Sequence, residues 1–197
     1  MTDAWRRVAE AGHIADETTA RESLSSDDHV LRELSLGALA RMGALTDGDL
    51  QSAFNDPDYT VRRRAAILAA KRRDVPLTAL LHDDNDAVVE AAAWACGEHE
   101  VVSEEEFARL MALASGAAEP LVRESAIAAL GAIGDARGLA AILAGCVDKP
   151  AIRRRAVLAL APFSGPQVDA ALQAALQDRD WQVRQAAEDL SPRLGVD

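Results

Sequence analysis

The stretch Pro120–Gly131, Pro-Leu-Val-Arg-Glu-Ser-Ala-Ile-Ala-Ala-Leu-Gly, decides the fold. Val122, Ala126, Ala129 and Leu130 fall at i, i+4, i+7 and i+8, which places them on one face of an α-helix. The same register recurs with Leu31, Val61, Val88, Val122, Ile152 and Val183 as leading apolar residues, at steps of 27 to 34 residues. Regular recurrence at that period is the sequence signature of a repeat array. The i+4 position is small in every copy: Ser35, Ala65, Ala92, Ala126, Ala156 and Ala187. A small residue there lets a second helix approach closely.

Asp, Asn or Pro precedes most copies, as in Asn55-Asp56-Pro57-Asp58, Asp83-Asp84-Asn85-Asp86 and Asp178-Arg179-Asp180. These are helix-start signals, because carboxylates accept the free N–H groups of the first turn and favour its positive end. Shorter apolar segments lie between copies and predict helices over Asp47–Phe54, Pro76–His82, Glu104–Ala114, Ala136–Ala144 and Val168–Gln177. Each unit is then helix, turn, helix. One such pair cannot bury its own apolar face, so pairs stack.

The motif Val-Arg-x-x-Ala-x-x-Ala-Leu-Gly, complete at Val122–Gly131 and partial in the other copies, resembles that of HEAT-repeat proteins, of the short HEAT-like type also seen in phycobilin lyases. The resemblance covers roughly residues 27–191. It implies an all-α fold, a right-handed α-solenoid of about six HEAT-like helix pairs, with 1–197 as a single repeat domain and 1–26 as an N-terminal cap. It also implies that the Arg at the second motif position bridges neighbouring units as a structural ladder, at Arg62, Arg123, Arg153 and Arg184. Val89 stands where unit three needs that Arg.

Composition agrees. The 197 residues are 49% hydrophobic but only 4% aromatic, and the strong helix formers Ala (42) and Leu (23) dominate. No apolar run is long enough for a transmembrane helix, and the N-terminus lacks the apolar core of a signal peptide. The expected location is cytoplasmic, with Cys96 and Cys146 reduced. A net charge of −11 repels phosphate backbones and anionic membranes, so the expected partner is a protein or peptide rather than nucleic acid or membrane.

Within that acidic chain, unit two gathers Arg62, Arg63, Arg64, Lys71, Arg72 and Arg73, with Asp56 and Asp58 upstream to offset them. Unit three answers with nine acids between Asp83 and Glu106, Glu100 among them, and no Lys or Arg. Arg63, Arg64, Arg154 and Arg155 are free of the ladder role and form a candidate anion-binding stripe. Trp181, in a turn, is the candidate partner anchor. Trp5 is expected to pack in the cap. Trp94, taken as equivalent to Ile127 and Val157, is expected in the core. Gly131, Gly134, Gly138 and Gly145 read as helix stops and turns, and Pro192 and Gly195 end the last helix.

Catalytic patterns are missing. There is no Gly-x-Ser-x-Gly, His-Glu-x-x-His or Cys-x-x-Cys. His82, Cys96 and His99 lie at opposite ends of one helix, roughly 15 Å apart, too far to share a metal. The expectation is a non-catalytic interaction scaffold with no cofactor, binding through the inner surface built by the second helices. The alternative is a nucleic-acid-binding protein of the HEAT-like DNA glycosylase type, using Arg63, Arg64, Arg72, Arg73, Arg154 and Arg155 as its basic face. A bilin lyase role rests on repeat resemblance alone.

Overall fold

The structure, a computed structural model, describes residues 2–99 and 101–190. Among them it is all-α, with helices α1 (Asp3–Ile14), α2 (Glu17–Ser23), α3 (His29–Met42), α4 (Asp47–Ala53), α5 (Tyr59–Ala69), α6 (Thr78–Leu81), α7 (Asp86–Gly97), α8 (Glu104–Gly116), α9 (Pro120–Ile133), α10 (Leu139–Gly145), α11 (Pro150–Ala159), α12 (Pro166–Ala175) and α13 (Trp181–Leu190). A 3₁₀ turn, Ala136–Gly138, leads into α10. The six motif copies are the second helices α3, α5, α7, α9, α11 and α13. Pro192, Gly195 and Glu100 lie outside the described residues.

Local chemistry sets the helix ends. The Glu119 side chain accepts the Leu121 N–H at the start of α9, and Pro120 occupies the first turn, where its missing N–H costs nothing. Ser103 and Glu106 form a reciprocal capping box on α8, and Thr46 and Asp49 form one on α4. Helix α3 stops at Gly43 and α9 at Gly134, both left-handed, at φ 74° and 70°.

By contacts the chain divides into two compact units, Met1–Ala95 and Cys96–Asp197. The division runs through α7. In the first unit both α1 and α2 pack on α3. Trp5 is half-buried there, and its indole N–H donates to Asp28 at 2.7 Å, tying α1 to the start of α3. In the second unit α8 packs on α9, α9 on α11 and α11 on α13.

The leading apolar residues and the small i+4 residues face the core. Val61, Val88, Val122, Ile152 and Val183 are at most 1% exposed, and all six i+4 residues are fully buried. Ser35 satisfies its hydroxyl by donating to the Leu31 carbonyl at 2.7 Å. The next position, i+5, is fully buried as Leu36, Ala66, Ala93, Ile127 and Val157, but in the sixth copy it is Glu188, exposed.

Gly131 is not a helix stop. It lies inside α9, buried, where a Cβ would stand 2.6 Å from the Ala159 Cβ and 2.8 Å from the Ala159 Cα. The missing side chain sets the α9–α11 spacing. Gly145 does the same for α10, where a Cβ would meet Ile127 Cδ1 at 2.6 Å.

Replacing Gly131 by Ala is therefore expected to destabilise the fold by about 1–3 kcal/mol in urea denaturation, the usual cost of overpacking. Gly116→Ala, where nothing lies within 4 Å, is the control and is expected to be neutral or stabilising. Equal effects of the two changes would refute the close-approach role of Gly131.

Candidate functional site

Four arginines hold one geometry. Arg32 grips Asp56, Arg62 grips Asp83, Arg123 grips Asp148 and Arg153 grips Asp178, each through Nε and Nη2 to the two carboxylate oxygens at 2.6–3.2 Å. The remaining nitrogen, Nη1, donates to a backbone carbonyl of the arginine's own helix-start turn: Ser26, Asp56, Ala117 and Asp148 respectively. The arginine's turn and the next are thus joined by a two-pronged charged hydrogen bond, the strongest kind available to neutral-pH side chains. The same carboxylates accept backbone N–H groups of their own turns, from Asp58, Asn85, Lys149 and Asp180.

Arg32 was not among the sequence-derived ladder residues, although it occupies the same motif position. Asp56, expected to offset the arginines of α5, serves Arg32 instead, while Arg62 reaches forward to Asp83 and Asp84. Arg184 keeps the own-turn bond, Nη1 to the Asp178 carbonyl at 2.8 Å, but no carboxylate of a described residue faces it within ion-pair distance. Val89, in the place of the third-unit arginine, is buried.

The position two before the leading residue is exposed in most second helices, as His29, Tyr59, Asp86, Pro150 and Trp181, and the position two after it is exposed as Arg63, Arg154 and Gln185. The expected arginine stripe does not form there as a set. Arg63 and Arg154 are exposed and have no carboxylate of a described residue within ion-pair distance. Arg155 instead donates to Glu124 at 3.3 Å, so its charge is engaged. Arg64 is half-buried, with its guanidinium lying over Gly37. Arg72 turns away to the Leu45 carbonyl and Asp47.

Trp181 is 64% exposed. It forms one wall of a groove of about 250 Å³ with Arg154 and Leu158 of α11 and Gln182, Gln185, Ala186 and Asp189 of α13. Two residues singled out by sequence thus meet in one groove. Trp94 is 42% exposed, against the expectation of a core position. Its register was one residue off: the equivalent of Ile127 and Val157 is Ala93, fully buried. One residue turns a helical side chain by about 100°, enough to move it from core to solvent.

Burial pushes the Cys96 thiol up to about 12, with the Glu106 charge adding to the shift, and pushes Cys146 up to about 11. Neither supplies a thiolate at neutral pH. No group of three or more His, Cys, Asp or Glu side chains among the described residues is arranged to hold a metal ion.

A sequence profile of HEAT repeats matches residues 73–161 and, in a second register, 107–190, more than half of the chain. The chain belongs to the HEAT-repeat family. The HEAT fold is also shared with solved structures at low identity. A designed armadillo repeat protein in complex with the peptide (KR)4 is 17% identical, with a TM-score of 0.64 over 89% of this chain and 98% of that one. A second designed armadillo repeat protein is 17% identical, with a TM-score of 0.61 over the same shares. An engineered protein is 18% identical, with a TM-score of 0.63 over 99% of each chain. No curated protein matches the chain significantly.

The ladder makes stability pH-dependent. The Arg123 and Arg153 hydrogen bonds, opposed by burial, hold Asp148 and Asp178 below the usual carboxylate range. A carboxyl whose folded pKa is depressed contributes stability above its unfolded value, near 4, and loses it as pH falls through the folded value. Asp178→Ala is expected to cost about 1.5–3 kcal/mol at pH 7. The gap to wild type should narrow below pH 4, where the wild-type carboxylate is protonated too. Urea titrations at pH 7 and pH 3 test this, and a gap independent of pH would refute the ionic role.

Proposed function

We propose that the chain is a non-catalytic interaction module that binds a protein or peptide on the exposed side of its second helices. The groove between α11 and α13 carries the reading, because it joins the exposed Trp181 with Arg154, which has no carboxylate partner among the described residues, over Leu158 and Ala186. Aromatic and arginine side chains are the usual anchors of protein interfaces. The likeness to designed armadillo repeat proteins, one of them in complex with a peptide, supports the kind of partner. The apolar register of the motif continues in α7, where Val88 and Ala92 are buried, and this supports 1–197 acting as one repeat domain. No described helix is long and apolar enough to cross a membrane, which is compatible with work in the cytoplasm.

The DNA-binding alternative is not favoured. It needs a continuous basic face, and of its arginines Arg155 is neutralised by Glu124, Arg64 is half-buried and Arg72 is engaged elsewhere. A net charge of −11 opposes it further.

The test compares wild type with Trp181→Ala/Arg154→Glu in parallel pull-downs at mild salt, beside titration of a labelled DNA duplex at low salt. The expected result is a protein partner held by wild type and weakened about 30-fold or more in the variant, with no salt-sensitive DNA binding. Equal capture by both forms would refute the groove as the interface. Tight duplex binding that collapses with salt would favour the alternative.

A further inference from the structure

In the first unit Arg41 of α3, Arg63 and Arg64 of α5, and Lys71 just after α5 have side chains that form no hydrogen bond or ion pair with a described residue. Helix α3 packs on α5. Arg63, Ile67 and Lys71 follow at i, i+4 and i+8, so they run along one side of α5 and its end. Arg63 and Lys71 are exposed, and Ile67 between them is half-buried. Arg64 reaches across to α3, where its guanidinium lies over Gly37. Arg41, one turn beyond Gly37, is exposed, and its guanidinium lies over Gly12 of α1.

The second unit shows why Arg64 stays unneutralised. Arg155 holds the same motif position in α11 and pairs with Glu124 of α9 at 3.3 Å. The equivalent acid on α3 is Glu33, with which Arg64 forms no ion pair. One turn beyond that acid, the second unit has Ala128 and the first has Gly37. A Cβ at Gly37 would stand 2.6 Å from Arg64 Nη2, and the three atoms nearest to it all belong to that guanidinium. The missing methyl is thus the seat of the Arg64 head group and holds its charge off Glu33. The carboxylates of α1, α3, α5 and the turn after α5 that serve no cap, ladder or ion pair are Glu10, Glu33 and Asp74. Glu10 is two residues from Gly12 on α1, about 200° around the helix from the Arg41 seat. Four cations therefore stand against two carboxylates, Glu33 and Asp74, and the face is net positive.

We propose that this α3–α5 face binds an acidic peptide segment with several Asp or Glu along an extended stretch. The surface belongs to the first unit and does not depend on the α11–α13 groove. Arg63 and Lys71 are roughly 12 Å apart along α5, and packed helices such as α3 and α5 lie roughly 8–10 Å apart. One carboxylate or one phosphate cannot span that spread. Alternate side chains of an extended peptide are about 7 Å apart, so a short acidic stretch can. The fork of an arginine suits carboxylates, and the seat over Gly37 holds one fork in place beforehand. Ile67 offers contact to an apolar side chain between the acids and nothing to a sugar–phosphate backbone. A nucleic acid would also carry its charge past the patch, onto a chain of net charge −11.

The test is fluorescence anisotropy of the whole chain with three labelled probes: a Glu-Ala repeat peptide, its Gln-Ala counterpart, and an oligothymidylate of equal charge. The expected result is binding of the acidic peptide that weakens with salt, with no binding of the neutral one. Arg64→Gln/Lys71→Gln should weaken it about tenfold or more. Gly37→Ala keeps every charge, and its Cβ meets only the Arg64 head group, so the helix tolerates it. It should nonetheless weaken binding about threefold or more, because Arg64 loses its seat and turns to Glu33. Arg179→Gln, an exposed arginine of the second unit, controls for net charge and should leave binding unchanged. Circular dichroism verifies that each variant keeps its helices. No binding of the acidic peptide, equal binding of the neutral one, tighter binding of the oligothymidylate, or affinity untouched by the first two variants would each overturn this inference. The α11–α13 groove is read separately, through Trp181→Ala/Arg154→Glu, so either reading can fail alone.

Discussion

The bidentate Arg–Asp pair between consecutive helix-start turns is the constraint on which the repeats depend. Apolar burial alone sets the distance between helices but leaves them free to slide, since Ala and Leu faces are smooth and non-directional. The guanidinium fork fixes the register, because two parallel charged hydrogen bonds tolerate little displacement. Its cost is the partial desolvation of both ions. Here that cost is offset by further hydrogen bonds: each arginine also donates to one or two carbonyls, and each aspartate also accepts a backbone N–H.

The acidic turns divide their labour in a way that composition hides. In Asp56-Pro57-Asp58 the first aspartate is the ladder acceptor, and the second caps α5 by accepting the Thr60 N–H at 2.9 Å. Asp178-Arg179-Asp180 repeats the arrangement, with Asp180 accepting from Gln182. In the third unit Asp83 takes the ladder role and Asn85 the cap, accepting from Ala87. Much of the chain's negative charge is consumed in holding the helices together. The charge left to meet a partner is then set by single residues on the exposed helix sides, where Arg63 and Arg154 have no carboxylate of a described residue within ion-pair distance.

That division determines which of these residues are legible in the sequence. Repeat spacing located the helices within a few residues, because burial at i, i+4 and i+7 leaves a strong periodic trace. The positions of Arg62, Arg123 and Arg153 were legible from the motif, and Trp181 from its place beside a turn. Arg155 and Arg64 carry the same letter as Arg154 and Arg63, and nothing local separates them. Their difference comes from Glu124 on one neighbouring helix and Gly37 on another, each about thirty residues away in the chain. Trp94 was misplaced because an Ala-rich helix offers few markers of register, and a shift of one residue exchanges core for surface.

The sequence by itself determined the helical class, the repeat length, the family and the buried stripe of each second helix. These follow from short-range periodicity and residue size, which are properties of the chain alone. Only the tertiary structure decided which carboxylate each arginine holds, why Gly131 must lack a side chain, and which cations and aromatics remain exposed. Those outcomes depend on which residues the stacking brings within 3–4 Å across one repeat. A side chain's identity does not reveal its partner when several copies of the same turn compete for it.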